Sequence, residues 1–361
     1  MRWEQSRSFE AGLDLGFFNN RLSFIFDYYN RTTDDLLTDV NLPAYTGFSS
    51  MKTNLGRLRN SGFEMEVRAN ILTNPKGLNW EVAANLTSVS NKILKLPTSD
   101  KPFNQIDGYE VAAGLYDPAT GETPTKWIGG YREGGKLGDL VGYVQKHIFR
   151  DWDDVRANAN MVIDEVANLY GPGMADQINP QTGLTYAQSS GWKPIEPGDV
   201  CWDDINQDGK INSLDRAVVG NIFPKVTGGF STTLSYKNLS LYARFDYALG
   251  HTIYNDLKAR SLGQYQGQFN IIDKVHDTWS ETNPDADLPV FTYADQLNKK
   301  NITRSNNGTT AVDNNSSRFY EKGDYLALRE ITLSYNLPKT WISKAGMTDA
   351  SVYVTGQNLF Y

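Results

Sequence analysis

A short stretch near the start of the chain alternates between apolar and polar residues with almost no error. Phe9, Ala11, Leu13, Leu15 and Phe17 are separated by Glu10, Gly12, Asp14 and Gly16. The polar pair Asn19-Asn20 follows. The alternation then resumes with Leu22, Phe24, Phe26 and Tyr28 against Ser23, Asp27 and the less typical Ile25. Successive strand side chains point to opposite faces, so a period of two across a short Asn turn predicts a β-hairpin with one apolar and one polar face.

Length says what kind of hairpin. Strands of soluble domains run about 5–6 residues, whereas membrane-barrel strands need about 9–11. From Phe9 to Phe17, a rise of ~3.4 Å per residue and a tilt of roughly 40° give ~21 Å of height, close to the ~25 Å apolar band of an outer-membrane barrel. Aromatics mark both ends of the hairpin, with Phe17-Phe18 beside the turn and Tyr28-Tyr29 far from it, where interfacial girdles belong. The bland alternative is an ordinary sandwich hairpin; the strand length favours the barrel.

The pattern recurs. Phe63, Met65, Val67 and Ala69 lead through Asn74-Pro75-Lys76-Gly77 to Trp80, Val82, Ala84 and Leu86. Phe230, Thr232, Leu234 and Tyr236 lead through Lys237-Asn238 to Leu239, Leu241, Ala243, Phe245 and Tyr247. Ile331, Leu333, Tyr335 and Leu337 precede a connector over 338–348 and a last strand over 351–359. Between the short turns lie long polar connections at 32–60, 97–126, 151–221 and 251–324. Such lengths are uncommon in compact soluble domains and routine on the outer side of outer-membrane barrels. Glu10, Asp14, Glu64, Glu66, Arg68, Arg244 and Asp246 interrupt the apolar residues; they are costly against lipid and comfortable in a wet lumen. The predicted fold is all-β: part of an antiparallel transmembrane β-barrel with long extracellular loops. One loop carries a short helix, capped by Asp151, with Val155, Ala159, Val162 and Val166 at helical spacing and Gly171-Pro172 as its stop.

Composition agrees. The mean hydropathy is −0.49, and no run approaches the ~18 apolar residues of a membrane helix. A barrel shows lipid only alternate strand residues, so a polar average is compatible with spanning. The net charge of −7 argues against nucleic acid as a partner, because nothing here neutralises a phosphate backbone. The lone Cys201 and three scattered histidines form neither a disulfide nor a thiolate or imidazole metal cage. The chain opens without an apolar leader and closes on residues that still read as strand, so a segment of a longer protein is expected.

The most specific chemical signal is Asp204-Ile205-Asn206-Gln207-Asp208-Gly209-Lys210-Ile211-Asn212-Ser213-Leu214-Asp215. It follows the spacing of a calcium loop. Asp204, Asn206 and Asp208 offer side-chain oxygens, and Gly209 the sharp turn. Lys210 offers its carbonyl, Asn212 a direct or water-bridged ligand, and Asp215 the closing carboxylate. Hard oxygen donors without His or Cys favour Ca²⁺ over zinc or copper. Asp at the twelfth position shortens the usual Glu, which weakens bidentate closure and brings Mg²⁺ into range; an Asx-rich turn without metal is the bland reading. No exiting helix follows, so a cation here would order a loop rather than switch a helix pair. Catalytic signatures are missing: Gly130 and Gly135-Lys136 only approximate a phosphate loop, with Leu137 where a hydroxyl belongs, and neither G-x-S-x-G nor H-E-x-x-H occurs. No enzyme is expected.

These segments resemble the C-terminal barrel part of SusC/RagA-like TonB-dependent outer-membrane transporters. The resemblance rests on Phe9 to Asp14, Asn20-Arg21-Leu22, Asp27 to Leu37, Asn54-Leu55-Gly56 and Asn60 to Glu64. It continues through Gly198-Asp199, Asp215-Arg216, Val219-Gly220-Asn221 with Pro224, and Tyr236 to Leu239. Ser317-Arg318-Phe319, Gly323 to Leu328 and Gly356 to Phe360 complete it. It implies that residues 1–361 are barrel and that plug and final strands lie outside this stretch; the spacing of the metal-type loop makes 198–224 a calcium-loop-like insertion within an extracellular loop. The resemblance further implies TonB-driven import of oligosaccharides, or peptides in some relatives, across the outer membrane of a Gram-negative bacterium, with a SusD-like surface lipoprotein as lid. Outward loops then present Trp127, Tyr131 and Trp192 as stacking platforms for sugar rings, although packing within the loops is the commoner role for any one of them. The alternative is a secreted calcium-dependent glycan-binding or scaffold β-module.

Overall fold

Each alternating segment pairs with the next in chain order, so hairpins accumulate into a single sheet. The computed structural model describes residues 2–41, 50–74, 76–98, 101–262, 272–291 and 316–361. The main sheet holds eight strands: β1 (Gln5–Phe17), β2 (Leu22–Asn41), β3 (Ser50–Leu72), β4 (Leu78–Lys95), β5 (Val226–Tyr236), β6 (Leu239–Leu249), β7 (Tyr325–Asn336) and β8 (Ser351–Phe360). They lie side by side in that order, every neighbouring pair antiparallel, with β1 and β8 as the two edges of an open sheet.

The short turns form where residues tolerate left-handed backbone. Phe18, Asn19 and Asn20 adopt φ of 55°, 57° and 61°, and Lys237 turns β5 into β6 at 54°; two asparagines lower the cost of the first turn. Arg21 ties that turn to the next, donating from Nη2 to the carbonyls of Asn70 (3.2 Å) and Ile71 (2.9 Å). The β3–β4 turn closes through the Gly77 amide and the Asn74 carbonyl at 3.0 Å.

Two expected boundaries move. The connection read over 32–60 is largely strand, since β2 runs to Asn41 and β3 begins at Ser50. Above an apolar belt both faces of a strand are wet, so hydrophobic alternation stops while the backbone ladder continues. The ladder shifts register twice, between Thr33 and Leu36 and between Leu36 and Leu37, and Asp35 takes up the first bulge at φ 57°. The tip of this hairpin, 42–49, lies outside the described residues. The loop helix is also shorter than its spacing suggests. It covers Trp152–Ala159, with Asp151 accepting from the Asp154 amide at 2.8 Å. It ends there because the Ala159 carbonyl accepts from Val162 and the Val162 carbonyl from Gly171. Ile163–Asp164 then forms a short strand; Val162, just before it, packs against two buried clusters, one of them containing Val155 and Ala159 of the helix, and Val166, just after it, packs against the other.

The interior sits outside the main sheet. Tyr143, Phe149, Leu169, Val111 and Val155, all less than 3% exposed, lie in the insert 96–225 between β4 and β5. Phe149, Val155, Ala159, Leu169 and Cys201 make one cluster; Tyr143, Val200, Trp202 and Ile211 make a second. Burial pushes the Cys201 thiol up to about 12, so it packs as a small hydrophobe. By contrast Phe9 and Leu13 of β1 are 62% and 59% exposed.

Candidate functional site

Cross-strand register decides which side chains share a face. Along one line of the sheet, Leu13 pairs with Phe26, Phe26 with Met65, Met65 with Leu86 and Leu86 with Gly228. Along another, Val67 pairs with Ala84, Ala84 with Phe230, Phe230 with Phe245 and Phe245 with Leu328. Apolar residues therefore meet apolar residues from β1 to β7. The Phe230 and Phe245 rings stack at 4.6 Å, and Phe26 and Phe63 at 6.1 Å. This face is exposed in the chain although it is apolar from strand to strand. Phe17, Trp80, Tyr236 and Tyr335 gather at its short-turn end; Tyr28, Phe63 and Tyr247 lie toward the other.

The reverse face follows from the same registers. Asp27 pairs with Glu64, Ile25 with Glu66, Glu66 with Asn85, Asn85 with Gly229 and Gly229 with Asp246. Arg244 pairs with Glu330. Glu66, Arg68, Asn85, Arg244, Asp246 and Arg329 line an open groove of about 560 Å³ on this side. Arg68 is ion-paired with Glu66, and Arg329 with Asp246. Every charge named from the sequence on strands β1, β3 and β6 falls on this face. Arg329 is an addition. The ladder between β6 and β7 slips at Arg244/Phe245, so Arg329 and Glu330, adjacent in sequence, both join the polar side. Two neighbouring charges inside an alternating strand were the available signal of that bulge.

The loop over 204–215 folds tightly within the insert. Asp204 accepts from the amides of Asp208 (3.2 Å) and Gly209 (2.9 Å). Asp215 accepts from Ile205 (2.9 Å) and Asn212 (2.8 Å), and Asn212 accepts from Leu214 (2.8 Å). Asp208 accepts from the Lys210 amide at 2.8 Å, while the Lys210 ammonium reaches out to Glu165 at 3.4 Å. Gly209 supplies the expected turn at φ 78°, and Gln207 joins it at 57°. Burial pushes the Asp215 carboxyl up to about 7, the negative charges of Asp204 and Asp208 adding to it against two amide hydrogen bonds. Burial raises Asp204 too, again with Asp208 contributing. Asn206 is 1% exposed and its Oδ1 has no partner. Among the described residues no three carboxylate, imidazole or thiolate side chains already converge as a cage, so a cation here needs the mixed set of carboxylate, amide and carbonyl oxygens that the spacing provides. The donor chemistry fits Ca²⁺.

Of the three aromatics, two remain available. Tyr131 is 49% exposed. Trp127 sits in the strand Thr125–Ile128, its indole donating to the Asp107 carbonyl at 2.9 Å and its ring facing the Lys101 ammonium at 5.9 Å. Trp192 does not serve as a platform: it is 9% exposed and packs edge-on against Tyr186 at 4.9 Å, in a core with Ile163 and Tyr170. A buried ring has no free face to offer a sugar.

Comparison with known proteins follows the same lines. Residues 1–150 match the family model described as TonB dependent receptor-like, beta-barrel. The chain is 29% identical to TonB-dependent receptor P3 of Formosa agariphila over 99% of its own length and 30% of that protein's. It is 26% identical to TonB-dependent receptor SusC of Bacteroides thetaiotaomicron over 100% of its length and 29% of SusC. The chain thus spans about 30% of the length of the curated relatives it matches. Among solved structures it superposes on the RagAB peptide importer in the closed-closed state with a TM-score of 0.60 and 25% identity, over 100% of this chain and 32% of that one. Likeness to SusC-type relatives from end to end, on strands ordered as a barrel wall, supports reading this chain as a β-barrel segment of a SusC/RagA-like TonB-dependent receptor.

Proposed function

We propose that this segment builds part of the wall and the outward loops of an outer-membrane importer for oligosaccharides, driven through TonB and capped by a SusD-like surface lipoprotein. The observation that carries the reading is the division of the sheet into one continuous apolar face and one charged face. Lipid covers the first, and a water-filled path runs along the second. A secreted module would expose the same apolar face to water, far beyond the few hundred Å² that soluble monomers show. The two longest connections (residues 96–225 and 250–324) leave the strand ends opposite the turns at 18–21, 73–77 and 237–238, because alternate connections of a meander lie on opposite edges. They face outward in this reading, with Tyr131 and Trp127 available for stacking on sugar rings.

A second reading, peptide import, has its own support. The groove beside Glu66, Arg68, Arg244, Asp246 and Arg329 carries both signs of charge, which suits a zwitterionic chain better than a neutral glycan. The test is uptake by cells carrying the full-length protein, offered labelled oligosaccharides and labelled peptides in parallel. Energy-dependent uptake of oligosaccharides alone supports the first reading, and of peptides alone the second. Uptake of neither, with the protein folded in the outer membrane, contradicts both.

A further inference from the structure

We propose that residues 204–215 bind one Ca²⁺ ion that fastens the insert between β4 and β5 where three of its segments meet. The inference does not depend on what the barrel transports.

Three observations point to a ligand. The first is the buried amide oxygen of Asn206. Its Nδ2 donates to Thr123 Oγ1 at 2.9 Å, and its backbone carbonyl accepts from the Tyr116 amide at 2.8 Å. Both bonds face the segment 113–125. Oδ1 diverges from Nδ2 across the planar amide and is buried without a hydrogen-bond partner. An acceptor left bare at that depth is costly unless something positive completes it.

The second is the Lys210 carbonyl. Lys210–Ile211 is a two-residue strand lying parallel to Ile163–Asp164. Gly209 O accepts from Ile163 N at 2.9 Å and Ile211 O from Glu165 N at 3.0 Å. Successive carbonyls of a strand point to opposite sides, so that of Lys210 turns away from its neighbour strand, back over the loop.

The third is charge. Asp204, Asp208 and Asp215 lie within one twelve-residue loop, Asp215 fully buried, and the Lys210 ammonium beside them points outward to Glu165. A divalent cation supplies what the cluster lacks. Oxygen donors of three kinds, carboxylate, amide and backbone carbonyl, suit the large, irregular shell of Ca²⁺ better than the small octahedron of Mg²⁺. The consequence is mechanical. The loop is already hydrogen-bonded to 113–125 on one side and to 163–165 on the other, and an ion at its centre locks both to the Val200–Trp202 strand that precedes it.

The test is calorimetry with CaCl₂ on the full-length receptor, purified in detergent without its lipoprotein, alongside terbium luminescence sensitised by Trp202. One saturable Ca²⁺ site per chain is expected. Asn206→Ala and Asp208→Ala each weaken it by roughly tenfold or more. Thr123→Val, which removes only the outer hydrogen bond, stays within about twofold. Asn206→Asp keeps an oxygen in place and binds at least as well as wild type. Heat-modifiable migration confirms that each variant is folded. Absence of saturable binding in the wild type overturns the proposal. Wild-type affinity in both alanine variants, or loss of binding in Asn206→Asp, does the same.

Discussion

Arg329 of β7 reaches across the strand pair to Asp246 of β6, its Nη2 donating to Oδ2 at 3.0 Å while Nε pairs with Oδ1. The same guanidinium donates to Asn358 Oδ1 at 3.2 Å on β8, and the Tyr325 hydroxyl donates to Asp246 at 3.2 Å. Three strands are thereby joined on the charged face by one fork-shaped cation. Arg329→Ala and Asp246→Ala are each expected to lower the temperature at which the full-length barrel loses its compact gel mobility. The double variant loses less than the two single losses added together, because each single change strands the other charge. Arg329→Lys fails to restore the wild-type value, since a point charge cannot bond bidentately. Gel mobility against temperature for the four proteins checks both statements.

The two faces respond oppositely to the same substitution. Ile25 and Phe26 are neighbours on β2, yet Ile25 pairs with Glu66 and Phe26 with Met65. Phe26→Arg puts a cation against lipid and costs about 2–4 kcal/mol near the midplane. Ile25→Arg places it in the lumen beside Asp14 and Glu66 and is expected to be tolerated. Unfolding by denaturant in detergent or liposomes distinguishes the two.

Glu133 pins the end of β4 to the insert, accepting from the Leu96 amide at 3.0 Å and from Asn104 Nδ2 at 2.8 Å. The Asn104 bond and then the Leu96 bond hold its carboxyl below the usual value. A depressed folded pKa means stability that is present above the unfolded value of about 4.3 and lost as pH falls through the folded one. Glu133→Gln removes that dependence. The stability gap between wild type and variant is expected at neutral pH and to close on acidification below about pH 4, which melting curves across that range detect.

Cys201 is buried and its thiol is pushed up to about 12. It is expected to ignore maleimide at neutral pH in the folded receptor and to react in denaturant. Mass spectrometry before and after unfolding gives the answer.

How much of this was legible depended on what each pattern reports. Alternation reports burial against lipid, so the strand cores and their faces were readable from Phe9–Phe17 onward, as were the turns at Asn19 and Lys237. It reports nothing above the belt, which is why residues 32–41 read as loop while remaining strand. Helical spacing of Val155, Ala159, Val162 and Val166 was real but shared between a helix and the residues flanking the strand that follows, Val155 and Ala159 lying in one core, Val166 against a second and Val162 against both. Trp192 could not be told from a binding ring because sequence does not show which loop aromatics meet, and Tyr186 covers it. Arg329 hid behind a bulge that shifts register by one residue. The polar loop at 204–215 announced its spacing, whereas the unpartnered Asn206 oxygen could emerge only from the fold.

The division of faces is tested most directly by spin labels placed one at a time along β6, from Leu239 to Phe245, in the full-length receptor reconstituted in bilayers. Lipid-soluble oxygen is expected to relax labels at Leu239, Leu241, Ala243 and Phe245, and a water-soluble nickel chelate those at Ser240, Tyr242 and Arg244. Uniform access of the chelate to all seven sites, or protection of alternate sites from both reagents as in a dry protein core, would contradict the account.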